Sequence, residues 1–412
     1  MDVGYYRGRK GISVALLLLC CTLMGYISRS TISVALPFIS DDYGWTSSEQ
    51  GYWGGILLGI FLVGYGVSNT LLSPLIDVYG PRKCLTAAIA IWSFITFLTG
   101  VLGLIFSAFM VLRLLLGVSQ GVLFPSASKV TKTGFEPKLR SRVNGLYMSA
   151  MFMSNILIAL LMLPLIRLID WRPALCVVAM VGFALAIIVW RHLSDGTGLN
   201  HRPKGVREAY GDIIVSLRRV IKVKGFMTVT FADASMNLAF WGLSLWMPTY
   251  LLNGKGFSLD DLVWALPLAY TGGVLGILIG SWLSDRIGRR SEVTAAFTLG
   301  GALSLLLMMF ASGQAEIVAC CFAVFFCISL LPANAYTLLQ LIVPAKDTGA
   351  ATGLLNGLSN GLGVFGPVVI GLSVALTENF DSGIAVMAVS QVAAACCIFA
   401  FRAYERSAKD DQ

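Results

Sequence analysis

Long apolar runs, each closed by a short polar or charged loop, follow one another along nearly the whole chain. A helix needs about 20 consecutive apolar residues to cross a bilayer's hydrocarbon. The pattern predicts twelve such helices, over 12–39, 50–75, 83–102, 104–131, 142–167, 172–192, 223–252, 260–284, 292–312, 316–342, 348–377 and 381–402. Composition agrees, since 57% of residues are hydrophobic and 13% charged, against about 25% charged in a soluble domain. The first run is too long for a signal-peptide core and has no small-residue cleavage site after it, so it is expected to stay in the mature protein. The longest polar stretch, 193–222, holds Gly196, Gly198, Pro203 and a basic run through Arg218, Arg219 and Lys222. It predicts a linker, part of it an amphipathic helix on the membrane surface, between an N-terminal bundle (1–192) and a C-terminal bundle (223–412).

Charge changes the picture by its placement. The net charge of +8 comes from alternate loops: Arg7, Arg9 and Lys10, then Arg82 and Lys83, then Lys129 to Arg142, then Arg286, Arg289 and Arg290. The intervening loops carry acids, among them Asp41, Asp42, Glu49, Asp260, Asp261, Glu316, Glu378 and Asp381. This alternation predicts a multi-pass protein with both termini cytoplasmic, and it does not point to nucleic acid. The nine cysteines lie in or beside predicted spans without metal-ligand company, and His192 and His201 are the two histidines. Packing cysteines are expected, with no disulfide, metal or cofactor. No phosphate-cradling loop and no catalytic histidine set is present, so an enzyme is not expected.

The two halves echo one another. Ser73-Pro-Leu-Ile-Asp77-Val-Tyr-Gly80-Pro-Arg82-Lys83 follows the second span, and Ser281-Trp-Leu-Ser-Asp285-Arg-Ile-Gly288-Arg289-Arg290 follows the eighth. A second echo runs from Pro137 through Arg142 to Gly145 and from Pro344 through Lys346 to Gly353. Two six-span halves around a central cavity are a transporter design. The doubled Asp-x-x-Gly-x-Arg-Lys loop resembles the signature of the major facilitator superfamily, although Ser73 and Ser281 stand where glycine is usual.

The stretches Arg29-Ser-Thr-Ile-Ser-Val-Ala-Leu-Pro37 and Arg113-Leu-Leu-Leu-Gly-Val-Ser-Gln-Gly-Val-Leu-Phe-Pro125 narrow the match. With Asp170-Trp-Arg172, Trp246-Met-Pro-Thr-Tyr-Leu251 and Gly349 to Asn356, they resemble the anion:cation symporter family of sugar-acid permeases and vesicular glutamate and sialic acid carriers. The resemblance implies an all-α membrane protein with twelve helices in two pseudo-symmetric six-helix bundles. It also implies secondary transport of small organic anions by alternating access, in a bacterial inner membrane, with no partner beyond lipid and substrate and the chain acting as a monomer.

Several polar residues inside apolar runs could carry that work. Arg29 has no acidic neighbour in sequence, and a guanidinium in hydrocarbon costs several kcal/mol, so it is expected to face a cavity; the alternative is a head among lipid phosphates. The resemblance assigns Arg29 and Arg113 to carboxylate binding and gating; the bland reading has Arg113 bonding backbone carbonyls of a neighbouring helix. Two such cations at one depth would repel unless an anion lay between them.

Where proton-coupled relatives commonly hold acids, this chain has Ser28 and Gln120, which take up no proton near neutral pH. Asp233, alone in the seventh span, could replace them as a proton carrier, or hold sodium with Ser235 and Asn237, or merely be solvated. Tyr26, Tyr65, Gln120, Asn237, Trp241, Tyr336, Asn356 and Asn360 are candidate substrate contacts, with ordinary packing the alternative for each. Asp77, Arg82, Arg142, Asp285 and Arg289 are candidate gating residues at the basic loops. An uncoupled facilitator or exchanger is the second reading. A drug exporter would call for a Gly-Pro-rich fifth span, which Met148 to Ile166 lacks, and a sensor would need a soluble signalling domain.

Overall fold

The computed structural model describes residue 6 and residues 8–194, 205–344 and 348–405; the side chains of Asp77 and Asp285, and Lys346 and the linker residues Gly196, Gly198 and Pro203, lie outside the described set. Helices α1 (Gly8–Tyr43), α2 (Ser47–Tyr79), α3 (Pro81–Leu102), α4 (Phe106–Gly134), α5 (Arg142–Ile169) and α6 (Trp171–His192) come first. A linker helix, Val206–Val220, separates them from α7 (Phe226–Thr249), α8 (Leu259–Ile287), α9 (Arg290–Phe310), α10 (Gln314–Ile342), α11 (Ala350–Thr377) and α12 (Asp381–Glu405). Eleven of these are long and apolar enough to cross a membrane. The exception is α7: its Thr, Ser, Asp and Asn residues dilute an otherwise spanning length of 24 residues, and it is buried along nearly its whole course. It packs against α1, α11 and α12, in the place expected of the seventh span.

Helix ends follow from local chemistry. Thr46 and Ser258 form capping boxes with Glu49 and Asp261 at the starts of α2 and α8. The repeated loop glycines explain themselves: Gly80 has φ 86° and Gly288 φ 69°, each ending its helix in a conformation that a Cβ disfavours. At α9 the Glu405 carboxylate, carried by α12, accepts the Arg290 and Ser291 amides at 3.2 and 3.0 Å. A carboxylate there complements the positive end of the helix.

Small residues set the helix packing, as in other lipid-embedded bundles. A Cβ at Gly117 would strike the Phe61 carbonyl, and one at Gly64 the Leu114 carbonyl, so α4 lies directly on α2. Gly51, Gly55, Gly59 and Gly66 bring α2 against Gly371, Pro367, Val364 and Gly361 of α11, and Gly273 of α8 receives the Phe152 ring of α5. Gly117→Leu is therefore expected to abolish monodisperse protein on extraction, whereas Gly145→Ala, with open space at its Cβ, is expected to behave as the parent. Size-exclusion profiles of the two variants check this.

The ends of the bundle differ. At the end holding the acidic loops, Arg167 pairs with Asp260 at 2.5 Å, Asn253 donates to the Gln50 side chain at 3.0 Å, and Ser48 donates to the Ala375 carbonyl at 2.8 Å. Each contact joins a helix from residues 8–192 to one from residues 226–405. At the basic end the linker helix touches both α2 and α11 and leaves Ile214 and Val215 exposed.

Candidate functional site

The site begins with Arg29, a fully buried guanidinium on α1. Three rings surround it, with its central carbon 4.4 Å from the Tyr26 ring centroid, 4.8 Å from Tyr65 and 4.9 Å from Phe61; Trp241 of α7 stands at 6.0 Å. Aromatic faces stabilise a desolvated cation by about 0.5–2 kcal/mol each, which offsets part of the cost of burying it. Tyr65 lies four residues after Phe61, so both point from one face of α2.

Hydrogen bonds then fix the orientation of the head group. Arg29 Nε donates to Gln120 Oε1 at 3.0 Å, and Gln120 Nε2 donates to the Gly25 carbonyl at 3.1 Å. The other edge is free: among the described residues Nη2 is buried without a partner and Nη1 makes no hydrogen bond. An open Nη1/Nη2 edge is a fork that fits a carboxylate with two parallel bonds.

Arg113 does something different. Its Nη1 donates to the Arg29 carbonyl at 3.2 Å and its Nε to the Leu57 carbonyl at 3.3 Å. The glycine contacts between α4 and α2 cause this. Gly117 sits on Phe61, and one turn earlier in each helix Arg113 sits beside Leu57. The backbone reading of Arg113 is thus the one its geometry matches. No acid separates the two cations among the described residues. Instead, the Phe61 ring serves both, 5.4 Å from Arg113, and a main-chain carbonyl lies between them.

The opposite wall comes from α7, α10 and α11. Trp241 Nε1 donates to Asn360 Oδ1 at 3.0 Å; Asn360 Nδ2 donates to Asn356 Oδ1 at 2.7 Å, and so does the Tyr336 hydroxyl at 3.2 Å. Gly363 leaves room for the Trp241 ring, and Gly242 and Gly366 let α7 and α11 touch. Among the described residues the wall therefore presents amides, an indole and a phenol, without a cation.

Asp233 lies two turns along α7 from Trp241 and is buried. Asn237 donates to its Oδ2 at 3.3 Å, while Oδ1 has no partner. Ser359 of α11 is the hydroxyl close to the carboxylate, replacing the expected Ser235. Residues two apart on a helix face different ways, so Ser235 cannot share a ligand set with Asp233 and Asn237.

Nine of the ten expected contact residues thus belong to one connected cluster, with Gln120 holding the Arg29 head group and Arg113 its main chain, while Asn237 pairs with Asp233. The expected gating residues lie elsewhere. Arg82 covers the Trp190 ring at 4.2 Å, Arg289, just before α9, bonds Glu292 in its first turn at 3.4 Å, and Arg142 is exposed. Phe61 and Ser359 were not legible as site residues in advance. Their spacing is the only signal: Phe61 is one turn from Tyr65, and Ser359 is three residues from Asn356.

A family model described as Major Facilitator Superfamily matches residues 18–367 and 256–410. The chain belongs to the Major Facilitator Superfamily. Among curated relatives of this superfamily chain, the probable sulfoacetate transporter of Cupriavidus necator is 27% identical over 377 residues, covering 87% of this chain and 86% of that protein. The hexuronate transporter of Bacillus subtilis is 23% identical over 387 residues, covering 90% and 89%. The probable galactarate/D-glucarate transporter of Escherichia coli strain K12 is 22% identical over 427 residues, covering 94% and 95%.

Among solved superfamily structures, a D-xylose–proton symporter superposes with a TM-score of 0.74 at 15% identity, covering 95% of this chain and 97% of that one. A bacterial homologue of the human lysosomal transporter Spinster, inward-facing and unoccupied, gives 0.72 at 15% identity, covering 98% and 97%. These likenesses establish the fold. The family and the curated relatives are transporters and not enzymes.

Proposed function

We propose that the chain is a secondary carrier of small organic anions, carboxylates such as sugar acids, moving them by alternating access across a bacterial inner membrane. The observation that carries this reading is the unpartnered Nη1/Nη2 edge of Arg29, buried in an aromatic cage where the two halves of the molecule meet. Such an edge is costly to leave unsatisfied and is complementary to a carboxylate. The acidic substrates named for the relatives agree with it.

In this reading residues 1–192 and 223–412 rock against each other about the site, joined by the linker 193–222, with the chain acting as a monomer. The basic loops and both termini face the cytoplasm, and the acidic end faces outward. The Arg167–Asp260, Asn253–Gln50 and Ser48–Ala375 contacts then form the outer closure, which opens when substrate enters from outside. Coupling rests with Asp233, as a proton or sodium site. An uncoupled facilitator or exchanger is the second reading, favoured by Ser28 and Gln120, since Ser28 merely bonds the Met24 carbonyl and Gln120 is neutral.

The outer closure gives the experiment. In a cysteine-free background, cysteines at Gln50 and Asn253 joined by a short bifunctional reagent are expected to stop anion uptake into liposomes. Each single cysteine, treated alike, is expected to leave uptake intact. Full uptake by the cross-linked protein would refute opening at this end.

A further inference from the structure

We infer that the site selects organic monoanions over dianions of the same length; this rests on the organic-anion reading above. The inference follows from the charges the site has to spend. Arg29 and Arg113 are the two buried cations among the described residues. Arg113 is committed to the Arg29 and Leu57 carbonyls, mid-helix acceptors through which it ties α4 to α1 and α2. One cationic fork therefore remains, at the Nη1/Nη2 edge of Arg29.

Apart from Arg113, whose donors are turned to those carbonyls, the described groups around that edge are neutral. Gln120 is an amide already bonded on both sides, and Tyr26, Phe61 and Tyr65 cover the faces of the guanidinium. Across the site, Trp241, Asn360, Asn356 and Tyr336 form a chain of neutral donors and acceptors. That chain matches hydroxyl groups, which both donate and accept. A second carboxylate placed there would lose its water and meet no cation, and an unpaired charge in a dry site is strongly disfavoured. The nearest ionisable group further along α7 is itself an acid: Asp233 lies two turns, about 12 Å, from Trp241, and Tyr336 is within electrostatic range of it. Whenever Asp233 carries its charge, repulsion from that carboxylate adds to the penalty.

The relatives divide on this point, because galactarate, D-glucarate and sulfoacetate carry two acidic groups and a hexuronate carries one. The single free fork places this chain with the one-charge substrates, even though the sulfoacetate carrier shares more identical positions with it than the hexuronate carrier does.

Binding to the purified full-length protein tests the inference, with gluconate and glucuronate as monoanions and glucarate and sulfoacetate as dianions. Gluconate and glucarate share one carbon skeleton and differ in having a hydroxyl or a carboxylate at the far end. Gluconate or glucuronate is expected to bind about 10- to 100-fold more tightly than glucarate, and Arg29→Ala to abolish that binding. Glucarate or sulfoacetate binding as tightly as the monoanions, and still lost in Arg29→Ala, would overturn the one-charge inference and leave the organic-anion reading standing. Binding that survives Arg29→Ala for all four acids, or that is absent for all four in the parent protein, would overturn the organic-anion reading and this inference together.

Discussion

Arg29→Ala is expected to abolish carboxylate uptake into liposomes while the extracted protein stays folded, whereas Arg113→Ala is expected to lower stability first. The difference lies in what each guanidinium touches. Arg29 spends one donor on Gln120 and keeps its Nη1/Nη2 edge free. Removing it deletes a buried, uncompensated charge, which costs the fold little, and deletes the substrate's anchor. Loss of a desolvated, charge-assisted pair is worth on the order of 2–5 kcal/mol, so affinity is expected to fall at least about 30-fold. Arg29→Lys keeps the charge but offers no planar fork, and an intermediate loss is expected. Arg113 instead satisfies the Arg29 and Leu57 carbonyls. Its removal breaks two hydrogen bonds from a charged donor that tie α4 to α1 and α2, each worth roughly 1.5–3 kcal/mol. Uptake assays and thermal unfolding of the variants check both halves. Normal uptake by folded Arg29→Ala, or unchanged unfolding of Arg113→Ala, would separate the residues from these roles.

Asp233→Asn is expected to remove gradient-driven accumulation and to spare exchange of substrate for substrate. Asp233 is buried, receives one amide hydrogen bond from Asn237 and has an unpartnered Oδ1. Among the described residues no cation pairs with it. A carboxylate so placed is a functional group by default in a membrane protein, and Ser359 close to it is carried by α11, a helix that also builds the anion site. Asparagine keeps the shape and the Asn237 contact but carries no exchangeable charge. Liposomes with an imposed proton gradient, a sodium gradient and neither would separate the cases. Accumulation unchanged in Asp233→Asn would exclude this residue as the coupling acid and favour an uncoupled carrier.

Much of the architecture was legible because it rests on one-dimensional rules. Hydrocarbon thickness dictates run length, so the expected spans agree with the helices to within a few residues, apart from longer ends at α1 and α2. The same rule hides α7 from a hydropathy criterion: Thr228, Thr230, Asp233, Ser235 and Asn237 make it polar because it lines the site. Arg29 was conspicuous as a charge in an apolar run. Its cage was only half visible, since the Phe61 ring has no polar mark in the sequence. The tie of Arg113 to backbone was one of two open readings, and what decides between them is how Gly117 seats α4 on α2, a packing fact without a local signature. Ser359 near Asp233 depends likewise on the α7–α11 crossing at Gly242 and Gly366.

Counterflow in liposomes holding the purified protein, with labelled glucuronate in one set and labelled glucose in the other, tests the central claim most directly. The two sugars differ in bearing a carboxylate or a hydroxymethyl group, and so in having or lacking the one feature that the free edge of Arg29 recognises. Saturable counterflow of glucuronate, with glucose no faster than in protein-free liposomes, is the predicted result. Counterflow of glucose at an equal or greater rate would contradict an anion carrier built around Arg29.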